Sequence, residues 1–135
     1  MKVFLAAPLF SEAEREFNSK IAKNLREKGF EVWLAQEAPF IQHNTHKEKA
    51  AIYEGDISAL NASDVVVTVL DGAEVDARVA YEMGYAKALG KPIIGLKTDY
   101  RTFSKMEEVN LMLDVSIIKI CQSINEVINL LSKIE

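Results

Sequence analysis

An apolar, mostly β-branched run, Val65-Val-Val-Thr-Val-Leu70, constrains this chain more than any other stretch. It shows no polar alternation, so it suits a strand covered on both faces rather than one with a face in water. Such a strand needs helices above and below it. Directly after it, Asp71-Gly-Ala-Glu-Val-Asp76 makes a short acidic turn, and the residues that follow read as a helix to about Leu89. In that helix Val79, Met83 and Ala86 share one face at the i, i+4, i+7 spacing of a core stripe, and Glu82 lies on the same stripe. A carboxylate facing a core is costly unless it is paired, hydrogen-bonded or set in a cavity.

The flanking segments alternate in the same way. Lys2–Ala6, Phe30–Leu34, Lys91–Leu96 and Val115–Ile120 read as strands. A first helix opens on the capping box Ser11-x-x-Glu14, carries Phe17, Ile21 and Leu25, and stops at Gly29. Others run from about Lys47 to Asn61 and from about Ser123 to Ile134. The stretch Gln36 to His46 reads as a loop presenting Phe40 and Ile41, and Thr98 to Asp114 as an irregular segment with an apolar cluster, Leu111-Met-Leu113. This alternation predicts one α/β domain over residues 1–135. Right-handed crossovers make it a three-layer, doubly wound, five-stranded parallel sheet, flavodoxin-like with order 2-1-3-4-5. Ligands of such sheets lie beyond the carboxyl ends of the strands, at the switch between strands 1 and 3. Ala6 to Phe10, Gln36 and its loop, Asp71 to Asp76 and the residues after Leu96 gather there.

Several functions are disfavoured. A net charge of -4 gives no basic surface for nucleic acid. No apolar run has transmembrane length and no signal peptide precedes the first strand, so a soluble cytoplasmic domain is expected. Cys121 is the single cysteine, and His43 and His46 alone make a poor metal site; no metal is expected. The first strand is followed by Ala6-Ala-Pro-Leu-Phe10 rather than by a glycine-rich dinucleotide or phosphate loop, so no organic cofactor is expected either.

Carboxylates remain. Each has a structural reading: Asp71 as a turn former before Gly72, Asp76 as a helix N-cap, Glu82 as a buried acid with a structural partner. Taken together at the ligand edge, Asp71, Asp76 and Glu82 resemble a set built for acid and nucleophile work. Paired carboxylates about 5 Å apart cleave glycosidic bonds with one as nucleophile and the other as acid, and desolvation with like-charge proximity separates their roles.

Several segments then match one pattern. They are Ala6-Ala-Pro-Leu-Phe10 with Ser11, Glu14 and Phe17; Trp33-Leu-Ala-Gln-Glu37; Asp56-x-x-x-Leu60-x-x-x-Asp64-Val-Val-Val; Leu70-Asp-Gly72; Asp76 to Ala86; Gly90-Lys-Pro92; and Asn110-Leu-Met112. Over nearly its full length the chain resembles the nucleoside 2-deoxyribosyltransferases. The resemblance implies that Glu82 is a nucleophile attacking C1′ of a 2′-deoxynucleoside, with Asp76 and Asp71 handling the protons of the nucleobase. Gln36 would contact the base, with Phe10 and Gly72 as further substrate contacts. The Asn110-Leu-Met112 segment would enter a neighbouring subunit's site, Asn110 on the sugar hydroxyl or the nucleophile and Met112 packed on the substrate, which makes the protein a homo-oligomer. The alternatives are an N-glycosidase acting on 2′-deoxynucleoside 5′-monophosphates and a non-catalytic nucleotide-binding module. Two positions depart from the family pattern. Phe4 stands where many members carry a tyrosine whose hydroxyl steadies the nucleophile. Arg78 stands where glycine is common, and it is expected to point to solvent rather than to recruit a phosphate.

Overall fold

The computed structural model describes residues 1–135. Strands β1 (Lys2–Ala6), β2 (Glu31–Leu34), β3 (Val65–Val69), β4 (Ile93–Leu96) and β5 (Lys119–Cys121) form one parallel sheet of order β2-β1-β3-β4-β5. This is the expected doubly wound, flavodoxin-like arrangement. All of β3 is buried, and its alternate side chains enter two different cores. Val65, Val67 and Val69 pack with Ile21 and Leu25 of α1 (Glu12–Glu27) and with Val127 and Leu131 of α5 (Ile124–Ile134). On the other face Val66 joins Phe4, Leu60 of α2 (His46–Ala62), and Val79, Met83 and Ala86 of α3 (Ala77–Ala88). A strand with no wet face has no use for polar alternation, which is why the run reads as it does.

Helix ends are set by local side chains. Ser11 Oγ accepts from Glu14 N at 3.1 Å while Glu14 Oε1 accepts from Ser11 N at 2.8 Å, closing the capping box. Thr45 caps α2 and Ser123 caps α5 through their hydroxyls alone, which accept from Glu48 N and Glu126 N. Gly29, at φ +94°, turns the chain out of α1 into β2. The single cysteine, Cys121, ends β5 inside the α1/α5 core, where burial raises its thiol.

One element differs from expectation. Val115–Ile118 does not extend. Asn110 instead caps a short helix, α4 (Leu111–Asp114), and the next residues stay in its turns, with Val115, Ser116 and Ile117 donating to the carbonyls of Leu111, Leu113 and Asp114. The ladder to β4 begins only where Ile118 N donates to Ile93 O, and β5 is Lys119–Cys121. An Asx-type cap has overridden β-branched propensity.

Within β4, Gly95 lies beneath Leu70 and Ile120. A Cβ there would meet Leu70 Cδ1 at 2.9 Å and Ile120 Cγ1 at 3.3 Å. Gly95→Ala is expected to lower unfolding free energy by about 1–3 kcal/mol, read from the urea midpoint at unchanged slope.

Candidate active site

A cavity of about 970 Å³ opens beyond the carboxyl ends of β1 and β2. Phe10 follows β1 on its wall, Gln36 and Phe40 follow β2, Ile52 and Asp56 come from α2, and Arg78 from the first turn of α3. Phe10 and Phe40 are largely exposed apolar surface at its mouth. Gln36 lies in a 3-10 turn (Ala35–Glu37), and its amide is tied to α1. Its Oε1 accepts from Asn18 Nδ2 at 3.0 Å, and its Nε2 donates to Arg15 O at 2.9 Å and Ser19 Oγ at 3.1 Å. The side chain is therefore rigidly placed, with one oxygen lone pair left for a ligand.

Glu82 sits in the second turn of α3 and is 7% exposed. Its Oε1 lies 3.8 Å from Arg78 Nε, an ion-pair distance too long for a hydrogen bond. Burial pushes this carboxyl up to about 8; the Arg78 guanidinium opposes the rise, and the charges of Asp56 and Asp76 add to it. Arg78 does not point freely to solvent. A terminal guanidinium nitrogen donates to Asp56 Oδ2, so the guanidinium links Asp56 on the cavity wall to Glu82 behind it.

Asp76 is the N-cap of α3: its Oδ1 accepts from Arg78 N at 3.0 Å and Val79 N at 3.1 Å. It is thus a cap and also close enough to act electrostatically on Glu82. Asp71 is held on the β4 side instead. Its Oδ1 accepts from Thr98 N at 2.6 Å and its Oδ2 from Thr98 Oγ1 at 2.5 Å. Gly72, at φ +115°, donates its N–H to Asp99 Oδ2 at 2.8 Å. Asp99 also binds buried Lys97 Nζ at 2.6 Å and Arg101 Nε at 2.5 Å. Burial works against ionisation of Asp99, but the donors from Lys97, Gly72 and Arg101 outweigh it and hold the carboxyl at about 2. Asp71, Gly72 and the loop after β4 therefore form a cross-bonded turn, and neither they nor Asp76 and Glu82 line the cavity. Asn110 caps α4 through Oδ1 to Met112 N at 3.0 Å, and Met112 is 74% exposed; neither lines this chain's own cavity.

Asp56, Lys97 and Asp99 lay outside the sequence-derived site. Asp56 carried the signal that singled out Glu82, since Ile52, Asp56 and Leu60 share one stripe of α2 at i, i+4 spacing. No group of three His, Cys, Asp or Glu side chains is placed to hold a metal ion. No helix is long and apolar enough to cross a membrane.

With this geometry in hand, comparison with known proteins gives a family. The model of the nucleoside 2-deoxyribosyltransferases matches residues 3–125. The chain belongs to the nucleoside 2-deoxyribosyltransferase family. A protein of Ureaplasma parvum serovar 3 is 31% identical over 148 residues, covering 98% of this chain and 92% of that protein. The 2-deoxyribosyltransferase of Bacillus psychrosaccharolyticus superposes with a TM-score of 0.81 at 25% identity, over 96% of this chain and 91% of that one. The CMP N-glycosidase of Clostridium botulinum has the same fold, with a TM-score of 0.61 at 21% identity over 98% and 99% of the two chains. Family and fold fit a glycosyl-transfer enzyme, either a nucleoside deoxyribosyltransferase or a related N-glycosidase, with nucleosides and bases as small-molecule substrates.

Two outcomes test the electrostatics. The unfolded chain ionises Glu82 near 4.5, whereas the folded chain keeps it protonated to about 8. The stabilisation this gives is full below 4.5 and is lost as pH rises to about 8. Glu82→Gln abolishes the dependence, so the Tm of the variant relative to wild type should climb between pH 5 and pH 9 scans. Separately, Asp99→Ala leaves Lys97 buried without its carboxylate and should cost about 3 kcal/mol in urea unfolding.

Proposed function

We propose that this chain exchanges nucleobases on 2′-deoxynucleosides by double displacement at Glu82. The observation that carries this reading is a carboxylate buried in the first turns of α3, electrostatically coupled to a second carboxylate and joined through Arg78 to a cavity with ample room for a nucleoside. In the first step a Glu82 oxygen attacks C1′, the C1′–N bond breaks, and the base leaves with a proton from a carboxylic acid. Asp76 delivers that proton, taking it up from Glu82 as the nucleophile ionises, since the cap occupies only its Oδ1. In the second step a nitrogen of the incoming base attacks C1′ from the side the first base left. The ester bond breaks, Glu82 regains its charge, and the proton lost by the base returns to Asp76, with Asp71, held by Thr98, as the second acid assigned to the base. Two inversions give net retention.

Phe10 and Phe40 offer apolar surface to a base at the cavity mouth, and the fixed Gln36 amide offers it a hydrogen-bond acceptor. The exposed apolar set Tyr100, Met106, Leu111, Met112 and Val115 is the surface we assign to a second copy of the chain, with Asn110 and Met112 completing the neighbour's site. Reuse of nucleosides inside the cell fits such an exchange, which needs neither metal nor organic cofactor, because nucleophile and acid are both carboxylates.

Incubation with deoxyinosine, with and without adenine, tests the reading by chromatography. Deoxyadenosine formed only in the presence of adenine is the expected result. Free sugar phosphate from a deoxynucleoside 5′-monophosphate, with no exchange, would establish the N-glycosidase instead, and tight binding without turnover a sensor. A 2′-fluoro-arabino nucleoside should leave one sugar mass on Glu82, and Glu82→Ala should lower kcat by roughly 10³-fold or more.

A further inference from the structure

Cations are disfavoured at helix N-termini, where the backbone N–H groups already present positive charge. Arg78 nevertheless occupies the second position of α3, with its own N–H bonded to the Asp76 cap. Its guanidinium spans two carboxylates on different helices, Asp56 on α2 by a direct hydrogen bond and Glu82 at 3.8 Å. The sheet beneath does little for Glu82. On the face that α3 covers, β1 contributes Phe4 and Ala6, neither with a polar side-chain atom, and the Thr68 hydroxyl of β3, whose pleat places it on that face with Val66, makes no hydrogen bond. Besides Arg78, the charged groups facing Glu82 are Asp56 of α2 and Asp76 at the start of α3, and both are acids. Glu82 thus has one favourable charged neighbour, and that neighbour is shared.

We infer that Arg78 is the positioning residue of the nucleophile, aimed by Asp56: the Asp56–Arg78 pair fixes the guanidinium at the cavity wall so that it orients the Glu82 carboxylate and supplies its counter-charge. This rests on the reading of Glu82 given above, and it adds the group that keeps a buried nucleophile ionisable. The geometry gives Asp56 two opposing effects. It anchors the guanidinium, and it also draws that charge away from Glu82. Any substrate group that accepts a hydrogen bond from Arg78 would change this division at the moment of binding, and a group that took over Asp56's partner would leave two acids facing one another.

The test reads Glu82 directly. The Cδ resonance of Glu82 in glutamate-labelled protein, assigned by its absence in Glu82→Gln, is titrated in wild type, Arg78→Gln, Arg78→Lys and Asp56→Asn. Arg78→Gln should raise the midpoint by roughly 1 pH unit or more. Arg78→Lys, which keeps the charge, should restore most of it. Asp56→Asn should lower the midpoint, and Arg78→Gln should have a larger effect in that background than alone. In deoxynucleoside turnover the acidic limb of kcat/KM should move with the same midpoints. A Glu82 midpoint unchanged by Arg78→Gln, or one that Arg78→Lys fails to restore, would overturn the assignment, as would an Asp56→Asn variant that leaves it in place. The midpoints need no turnover. Should they move as stated while neither base exchange nor hydrolysis is detected, the positioning role stands and the catalytic reading falls.

Discussion

The two-sided burial of β3 places everything else. With helices on both faces, its hydrogen bonds must be satisfied by β1 and β4, and its chain can leave the sheet only at the carboxyl edge. Leu70 still donates to Leu96 O, and the next residue, Asp71, is already bound to Thr98. The acidic turn is therefore as fixed as the strand that feeds it. α3 starts from that turn, under the Asp76 cap, and its register against Val66 and Leu70 decides which of its side chains face inward. Glu82 is inward for the same reason that Val79 and Met83 are.

That placement has an electrostatic cost which the surroundings only partly offset. Bringing a carboxylate to 7% exposure with a single cation at 3.8 Å leaves its charged form poorly solvated. A nucleophile benefits from this, because a charge stripped of water reacts more readily once it is formed and a neutral acid is tolerated until then. The other side of the site is built on the opposite principle. Asp99 is surrounded by donors and stays ionised under nearly all conditions, so the Gly72 turn is rigid where the α3 side is tunable.

Much of this was legible in the sequence because short-range patterns carried it. Sheet order followed from alternating periods and chain connectivity, the capping box from Ser11 and Glu14, and the anomaly of Glu82 from its stripe. What stayed hidden depended on pairs that no spacing links. Arg78 finds Asp56 at a separation of 22 residues, and Gly72 finds Asp99 at 27. A pattern on one helix cannot announce a partner on another, so Arg78 read as a solvent-facing residue. The shortened β5 has a different cause: Asn110 caps a helix, and that local bond competes with the more distant ladder. Asp76 was legible twice over, as a cap and as an acid, and the structure makes it a cap that still acts on Glu82.

Cys121 lends itself to a use unconnected with chemistry at the carboxyl edge. It is the only thiol in the chain, it is fully buried between α5 and the sheet, and burial makes it slow to ionise. Disulfide reagents attack thiolates that solvent can reach. Labelling of this sulfur therefore requires α5 or β5 to come away from its neighbours, and the rate of labelling counts openings at this end of the fold. The molecule carries its own reporter of local unfolding, at the end of the sheet farthest from β2, with no engineered residue needed.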